Sequence, residues 1–170
     1  MSQATHPKRL GESVEARVIN RDPDIQTVTD REAYEYDAVT VAPITPEATR
    51  PLGSICVVPS GSPIEIKGCL PEVSNGSGTT AGRWYVKRET HEQLRQVRGH
   101  YYLVVYAPQP DTPILAETIV PAAVVGDLLN GSWSDSGRDE GEVGKLPWTA
   151  VVEQERVTSP PHPDAGGGSR

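Results

Sequence analysis

The run His100-Tyr101-Tyr102-Leu103-Val104-Val105-Tyr106-Ala107 constrains this chain more than any other stretch. It carries no Asp, Glu, Lys or Arg and shows almost no polar/apolar alternation. A strand with one wet face alternates; one that does not has both faces covered. These residues therefore predict a central strand, and the rest of the chain must supply a layer for each side of it.

The flanking patterns supply such layers. Residues 10–20 read as a helix, with Leu10, Val14 and Val18 on one face and Glu12, Glu15 and Ile19 on another. Asp22-Pro23-Asp24 ends it. Residues 34–41 read as a strand with Glu35, Asp37, Val39 and Val41 on one face. A proline-rich connection (Pro43, Pro46, Pro51) leads to an expected hairpin, residues 53–59 against 63–69, around Ser60-Gly61-Ser62. Residues 70–82 read as a flexible loop and 83–87 as a strand. A short helix over 90–98 is expected, with Thr90 as its N-cap. A strand over 114–118 follows, then a helix opening at Pro121 and closing at Asn130-Gly131. Residues 132–144 read as a polar loop, and 146–152 as a last strand. The order predicts a single α/β domain over residues 10–157, a mixed central sheet flanked by helices. Residues 1–9 and 158–170 are expected as flexible or disordered tails, the latter with prolines and a Gly-Gly-Gly run.

Composition narrows the function classes. The net charge is −7, and the lysines are Lys8, Lys67, Lys87 and Lys145, which argues against nucleic-acid binding by bulk charge. The apolar run 119–125 is broken by Pro121 and, like 101–107, is far too short to span a bilayer. Cys56 and Cys69 form no CxxC. With no signal-peptide pattern, reduced thiols and a cytoplasmic location are expected.

The chemistry is concentrated in Ile64-Glu65-Ile66-Lys67-Gly68. Its period-two alternation sends Ile64 and Ile66 to a core and projects Glu65 and Lys67 side by side on the other face. An acid-x-lysine triplet is expected roughly once by chance in a chain of this length, so its weight comes from context. Asp37 lies on the preceding strand, sharing its face with Val39 and Val41, where a carboxylate is hard to leave unpaired. Asp37, Glu65 and the carbonyl of Ile66 could complete a magnesium shell if their strands are neighbours. Glu15, four residues after Gly11, could reach the same cation, and Glu12 competes for that role.

A helix glutamate, then Tyr36-Asp37 on a strand, then Glu65-Ile66-Lys67 resembles the PD-(D/E)xK nuclease superfamily, which includes restriction endonucleases and archaeal Holliday-junction resolvases. Tyr36 stands where that family's motif has a proline. The stretch from Gly82 to Leu94 is similar to the strand and helix that follow the catalytic strand in restriction-like members. The resemblance implies a restriction-endonuclease-like fold and metal-dependent hydrolysis of DNA, duplex or branched. It implies Asp37, Glu65 and Ile66 as ligands of Mg²⁺, with Mn²⁺ as its substitute. Lys67 would orient or help deprotonate the attacking water, Glu15 would join the catalytic set, and His91 or Gln93 would support it. Cutting both strands would suit a homodimer. A non-catalytic nucleic-acid-binding or assembly module on the same fold is the alternative.

Residues 83–98 carry Arg83, Lys87, Arg88, Arg95 and Arg98 against Glu89 and Glu92, a local basic patch that could contact the DNA backbone. Trp84 beside Arg83 could touch DNA as well. Other motifs fall away. Residues 76–82 are glycine-rich but lack the Gly-Lys-Ser/Thr ending of a phosphate loop. The acidic residues Asp135, Asp139, Glu140 and Glu142 lack calcium-loop spacing. The histidines at 6, 91, 100 and 162 show no zinc spacing with either cysteine.

Overall fold

The computed structural model describes residues 7–28, 36–45, 57–109, 113–137 and 141–158, with side chains of those residues from Val14 to Val157. Its first element is helix α1 (Pro7–Arg21), which begins inside the segment expected as a tail. Strands β1 (Ile25–Thr27) and β2 (Ala38–Thr40) follow, then β3 (Pro63–Cys69), which carries the Glu65-Ile66-Lys67 triplet. The expected tails at 1–6 and 159–170 lie outside the described residues.

The expected central strand is central. Strand β7 (His100–Tyr106) is buried along its whole length. It lies between β3, its parallel neighbour, and β8 (Ile114–Pro121), its antiparallel one. The sheet order is β1-β2-β3-β7-β8, a mixed sheet as predicted. One face packs Ile64, Ile66, Tyr102 and Val104 against Val14 and Val18 of α1. The opposite face presents Tyr101, Leu103 and Val105 to a second layer. That layer holds α2 (Arg88–Gln96), α3 (Ala122–Leu129) and a small sheet of β6 (Arg83–Lys87), β10 (Glu142–Pro147) and β9 (Trp133–Asp135). With phenylalanine absent from the chain, Trp84, Trp148 and Tyr101 supply bulk to this larger core.

Several expectations need correction. The hairpin of 53–59 against 63–69 does not form where it can be described. β7 takes one edge of β3 and β2 the other at Pro63 and Ile64, where residues 58 and 59 would have paired, and Val58 pairs with Ile44 in an isolated bridge; residues 53–56 lie outside the described residues. The expected loop at 70–82 contains the hairpin β4 (Glu72–Asn75) and β5 (Gly78–Ala81), turned at Gly76 with φ +62°. That left-handed value suits glycine, which has no Cβ to clash. The polar stretch 132–144 contributes β9 and the start of β10, and the last expected strand becomes a 3-10 turn over Trp148–Ala150. Helix α2 starts directly from β6 with Lys87 at its N-cap position, so Thr90 does not cap it. The helix from Pro121 ends as expected, with Asn130 in the left-handed conformation. A short helix α4 (Gln154–Thr158) closes the described chain.

Candidate active site

Strand β2 is short, and that shortness shapes the site. It pairs with β3 only at Val39↔Pro63 and Ala38↔Ile64. One residue further, the Asp37 N–H still donates to the Ile64 carbonyl, 3.0 Å. At the next rung the Asp37 side chain replaces backbone: its Oδ2 accepts the Ile66 N–H at 2.7 Å. A strand residue's N–H and C=O point toward the same edge, so the Ile66 carbonyl faces the Asp37 side too. Just outside the last ladder pair, the Asp37 carboxylate comes within hydrogen-bonding reach of Glu65.

Glu65 is only 7% exposed. Its Oε1 accepts a hydrogen bond from the Lys67 ammonium at 2.5 Å. Burial pushes the Glu65 carboxyl above the ordinary carboxylate range; Lys67 opposes the rise and Asp37 adds to it. Burial alone would lower the Lys67 pKa, but Glu65 first, then Asp37 and Glu15, outweigh it and hold the ammonium charged above its usual range. Two carboxylates thus face one lysine in a partly buried notch, with Glu15 on α1 close enough to contribute to the field.

The reason first given for singling out Asp37 does not hold. Val39 is half-buried and Val41 is 47% exposed, whereas Ala38 and Thr40 are buried. The strand's apolar-looking face is its wetter one, and Asp37 sits at a rim where its carboxylate is held by a backbone N–H.

The remaining sequence-derived residues scatter. His91 is buried on α2, its Nδ1 3.2 Å from the Tyr101 hydroxyl, and burial lowers its pKa. Gln93 is exposed on the same helix. The five basic residues of 83–98 do not form one patch. Arg83 and Lys87 project from β6, while Arg88 is tied to Glu92 at 3.0 Å and Glu142 at 2.6 Å. Arg95 and Arg98 are exposed at the far end of α2. Trp84, considered as a DNA contact, is fully buried, and its indole N–H donates to the Val104 carbonyl at 2.9 Å. The side chain of Glu12 lies outside the described residues.

Sequence reasoning missed Tyr101. The parallel register sets it beside Glu65, and burial, with the Glu65 charge adding to it, pushes its phenol pKa up. Nothing in a linear sequence announces which residue of β7 lies across from Glu65, because that depends on the strand offset.

Among the described residues, no group of three or more His, Cys, Asp and Glu side chains is drawn together tightly enough to hold a metal ion by itself. Asp37 and Glu65 are a pair, and with the Ile66 carbonyl they form the kind of oxygen set a magnesium ion takes alongside waters and substrate. Burial first, and then the Asp37 charge, raise the Glu65 pKa, and a bound cation would offset both, so the donor chemistry fits a hard divalent ion.

A family model described as the PD-(D/E)XK nuclease superfamily domain matches residues 1–153. No curated protein and no solved structure matches the chain.

Proposed function

The chain belongs to the PD-(D/E)XK nuclease superfamily, and on that premise we propose that it is a metal-dependent endonuclease that hydrolyses phosphodiester bonds in DNA. The observation that carries this reading is the pairing of β2 with β3. It brings the Asp37 carboxylate to the Ile66 N–H and beside Glu65, with Lys67 hydrogen-bonded to the Glu65 carboxylate.

Asp37, Glu65 and the Ile66 carbonyl are the residues that would hold Mg²⁺ or Mn²⁺. When bound, such an ion supplies Lewis-acid polarisation of the scissile phosphate. The protein's own part is positioning and charge. Lys67 is a poor base at neutral pH because its neighbours keep it protonated. Its ammonium therefore serves as a donor that orients the attacking water and offsets negative charge on the phosphoryl oxygens. Attack forms a P–O bond to water and breaks the bond to the leaving sugar oxygen, the water's proton passing to solvent and solvent returning one to the leaving oxygen. Glu65 keeps Lys67 aimed, and the Asp37–Ile66 hydrogen bond fixes the carboxylate at the end of β2. Glu15 acts on Lys67 through its charge.

The test is cleavage of labelled linear and four-way-junction DNA by wild type, Glu65→Ala and Lys67→Ala, with Mg²⁺ and with EDTA. Cleavage by wild type in Mg²⁺ alone, lowered about 100-fold or more in each variant, is the expected result. Equal residual cleavage by all three proteins overturns the assignment. Binding without cleavage by wild type would identify a non-catalytic module on the nuclease fold.

A further inference from the structure

The outer face of the small β6-β10-β9 sheet has a composition unlike the rest of this acidic chain. Period-two alternation in β6 turns Trp84 and Val86 into the core and Arg83, Tyr85 and Lys87 outward. The antiparallel register sets Lys145 opposite Tyr85, Pro147 opposite Arg83, and Val143 opposite Lys87. On the third strand, Ser134 shares the row of Val143. The acids of these strands fall on the other parity: Glu142 pairs with Asp135, and Glu142 is engaged by Arg88. Among the described residues of these strands, the exposed rows set Arg83 and Lys145 around Tyr85, while Val143 at the other end of the sheet is buried, in a protein of net charge −7. In their midst Tyr85 is 58% exposed, with the Lys145 ammonium 5.8 Å from its ring centroid.

An exposed aromatic ring among cations is the arrangement that binds unpaired nucleotides: the ring stacks on a base while the cations meet the flanking phosphates. A duplex offers the phosphates but hides the base faces, so the ring would add nothing to duplex binding. We propose that this face is a stacking platform for a single-stranded nucleic-acid segment, with Tyr85 taking a base and Arg83 and Lys145 the adjacent phosphates. The proposal rests on the nuclease reading above and sharpens it. The preferred substrate has an unpaired stretch, as a flap, an overhang or a single strand does.

The experiment is fluorescence anisotropy in EDTA, which separates binding from cleavage. The probes are labelled oligothymidylate, oligouridylate and duplex DNA of about twenty nucleotides, roughly the reach of one such site and its flanks. Tyr85→Leu should weaken binding of the single strands about tenfold or more, whereas Tyr85→Phe, which keeps the ring, should stay within about twofold of wild type. Duplex binding should change little in either. Lys145→Gln and Arg83→Gln should each flatten the salt dependence of single-strand binding. The two oligonucleotides tell a DNA platform from an RNA one. Far-UV circular dichroism on each variant establishes that it is folded. Unchanged single-strand affinity in folded Tyr85→Leu, including binding held by charge alone to any polyanion, overturns the platform. If wild type still cleaves DNA in Mg²⁺, the nuclease reading survives that failure. A wild type that neither binds nor cleaves sinks both.

Discussion

Two clusters in this molecule have the same formula, one base and two acids, and opposite surroundings. Lys67 sits with Glu65 and Asp37 in a notch beside β3, where Glu65 is almost fully buried. Arg88 sits with Glu92 and Glu142 on the surface, all three side chains about half exposed. In the surface cluster, hydrogen bonds to Glu142 and then Glu92 raise the Arg88 pKa, while water screens the charges and little of the attraction reaches fold stability. In the notch, burial works against the charges, and the Glu65 carboxyl is pushed up even with an ammonium at 2.5 Å. The fold holds the Glu65 carboxyl against the cost of its burial, and the Lys67 ammonium, itself raised by Glu65, offsets part of that cost.

This contrast can be broken in three ways. The largest effect should come from Asp37→Asn, whose amide oxygen can still accept the Ile66 N–H while the negative charge is lost. The variant should fold as wild type does by circular dichroism and lose cleavage by about 100-fold or more. A variant that unfolds, or one that cleaves normally, would mean that Asp37 serves the fold and not the chemistry.

A smaller effect should appear in stability against pH. Burial, outweighing Lys67, raises the folded-state pKa of Glu65 above its unfolded value of 4.5. Between those two values the native state binds more protons than the unfolded one, so this group's contribution falls as pH rises through the window. Urea unfolding of wild type and Glu65→Gln across pH 4 to 8 should give a flatter profile for the variant above about pH 4.5. Lys67 adds an alkaline counterpart. Its raised pKa gives stability that is full below 10.5 and is lost as pH rises through the folded value. Parallel profiles for wild type and Glu65→Gln would remove the electrostatic distinction between the two clusters.

The smallest effect should come from Arg88→Ala. Its guanidinium also lies over the Trp133 ring, 5.9 Å from the centroid, but its ion pairs are open to solvent, so the urea midpoint should barely move, and less still in high salt. A clear loss of stability would show that the surface cluster holds β10 to α2 and is more than a solvated ion pair.

How much of this was legible beforehand differs by element. The central strand could be read because burial on both faces removes every charge from a stretch, and His100–Tyr106 shows that. The helices ending at Asp22 and at Asn130 were legible from their terminating residues, which act locally. The β4–β5 hairpin was not: Glu72–Asn75 is exposed along its length and shows no burial pattern to read. The assumed partner of β3 was wrong because sequence neighbours make the natural hairpin guess, whereas β2 and β7 reach β3 across long connections. For the site, Glu65 and Lys67 were readable as strand neighbours two apart. Asp37 was singled out for a face that proved to be the wetter one, and Tyr101 went unseen.

The alternation of residues 64–68 determined from the sequence alone that Glu65 and Lys67 share a face, because side-chain period in a strand is a property of the backbone. The basic residues of 83–98 were likewise visible, but not their separation into a cation-bearing sheet face and a solvated helix. Tertiary structure decided that β2 begins only at Ala38, so that the carboxylate of Asp37 takes over the ladder at Ile66 and meets Glu65. It also decided that Tyr85 and Lys145, sixty residues apart, flank each other on one face. Both depend on strand register, which is set by the packing of whole layers and is written in no single segment.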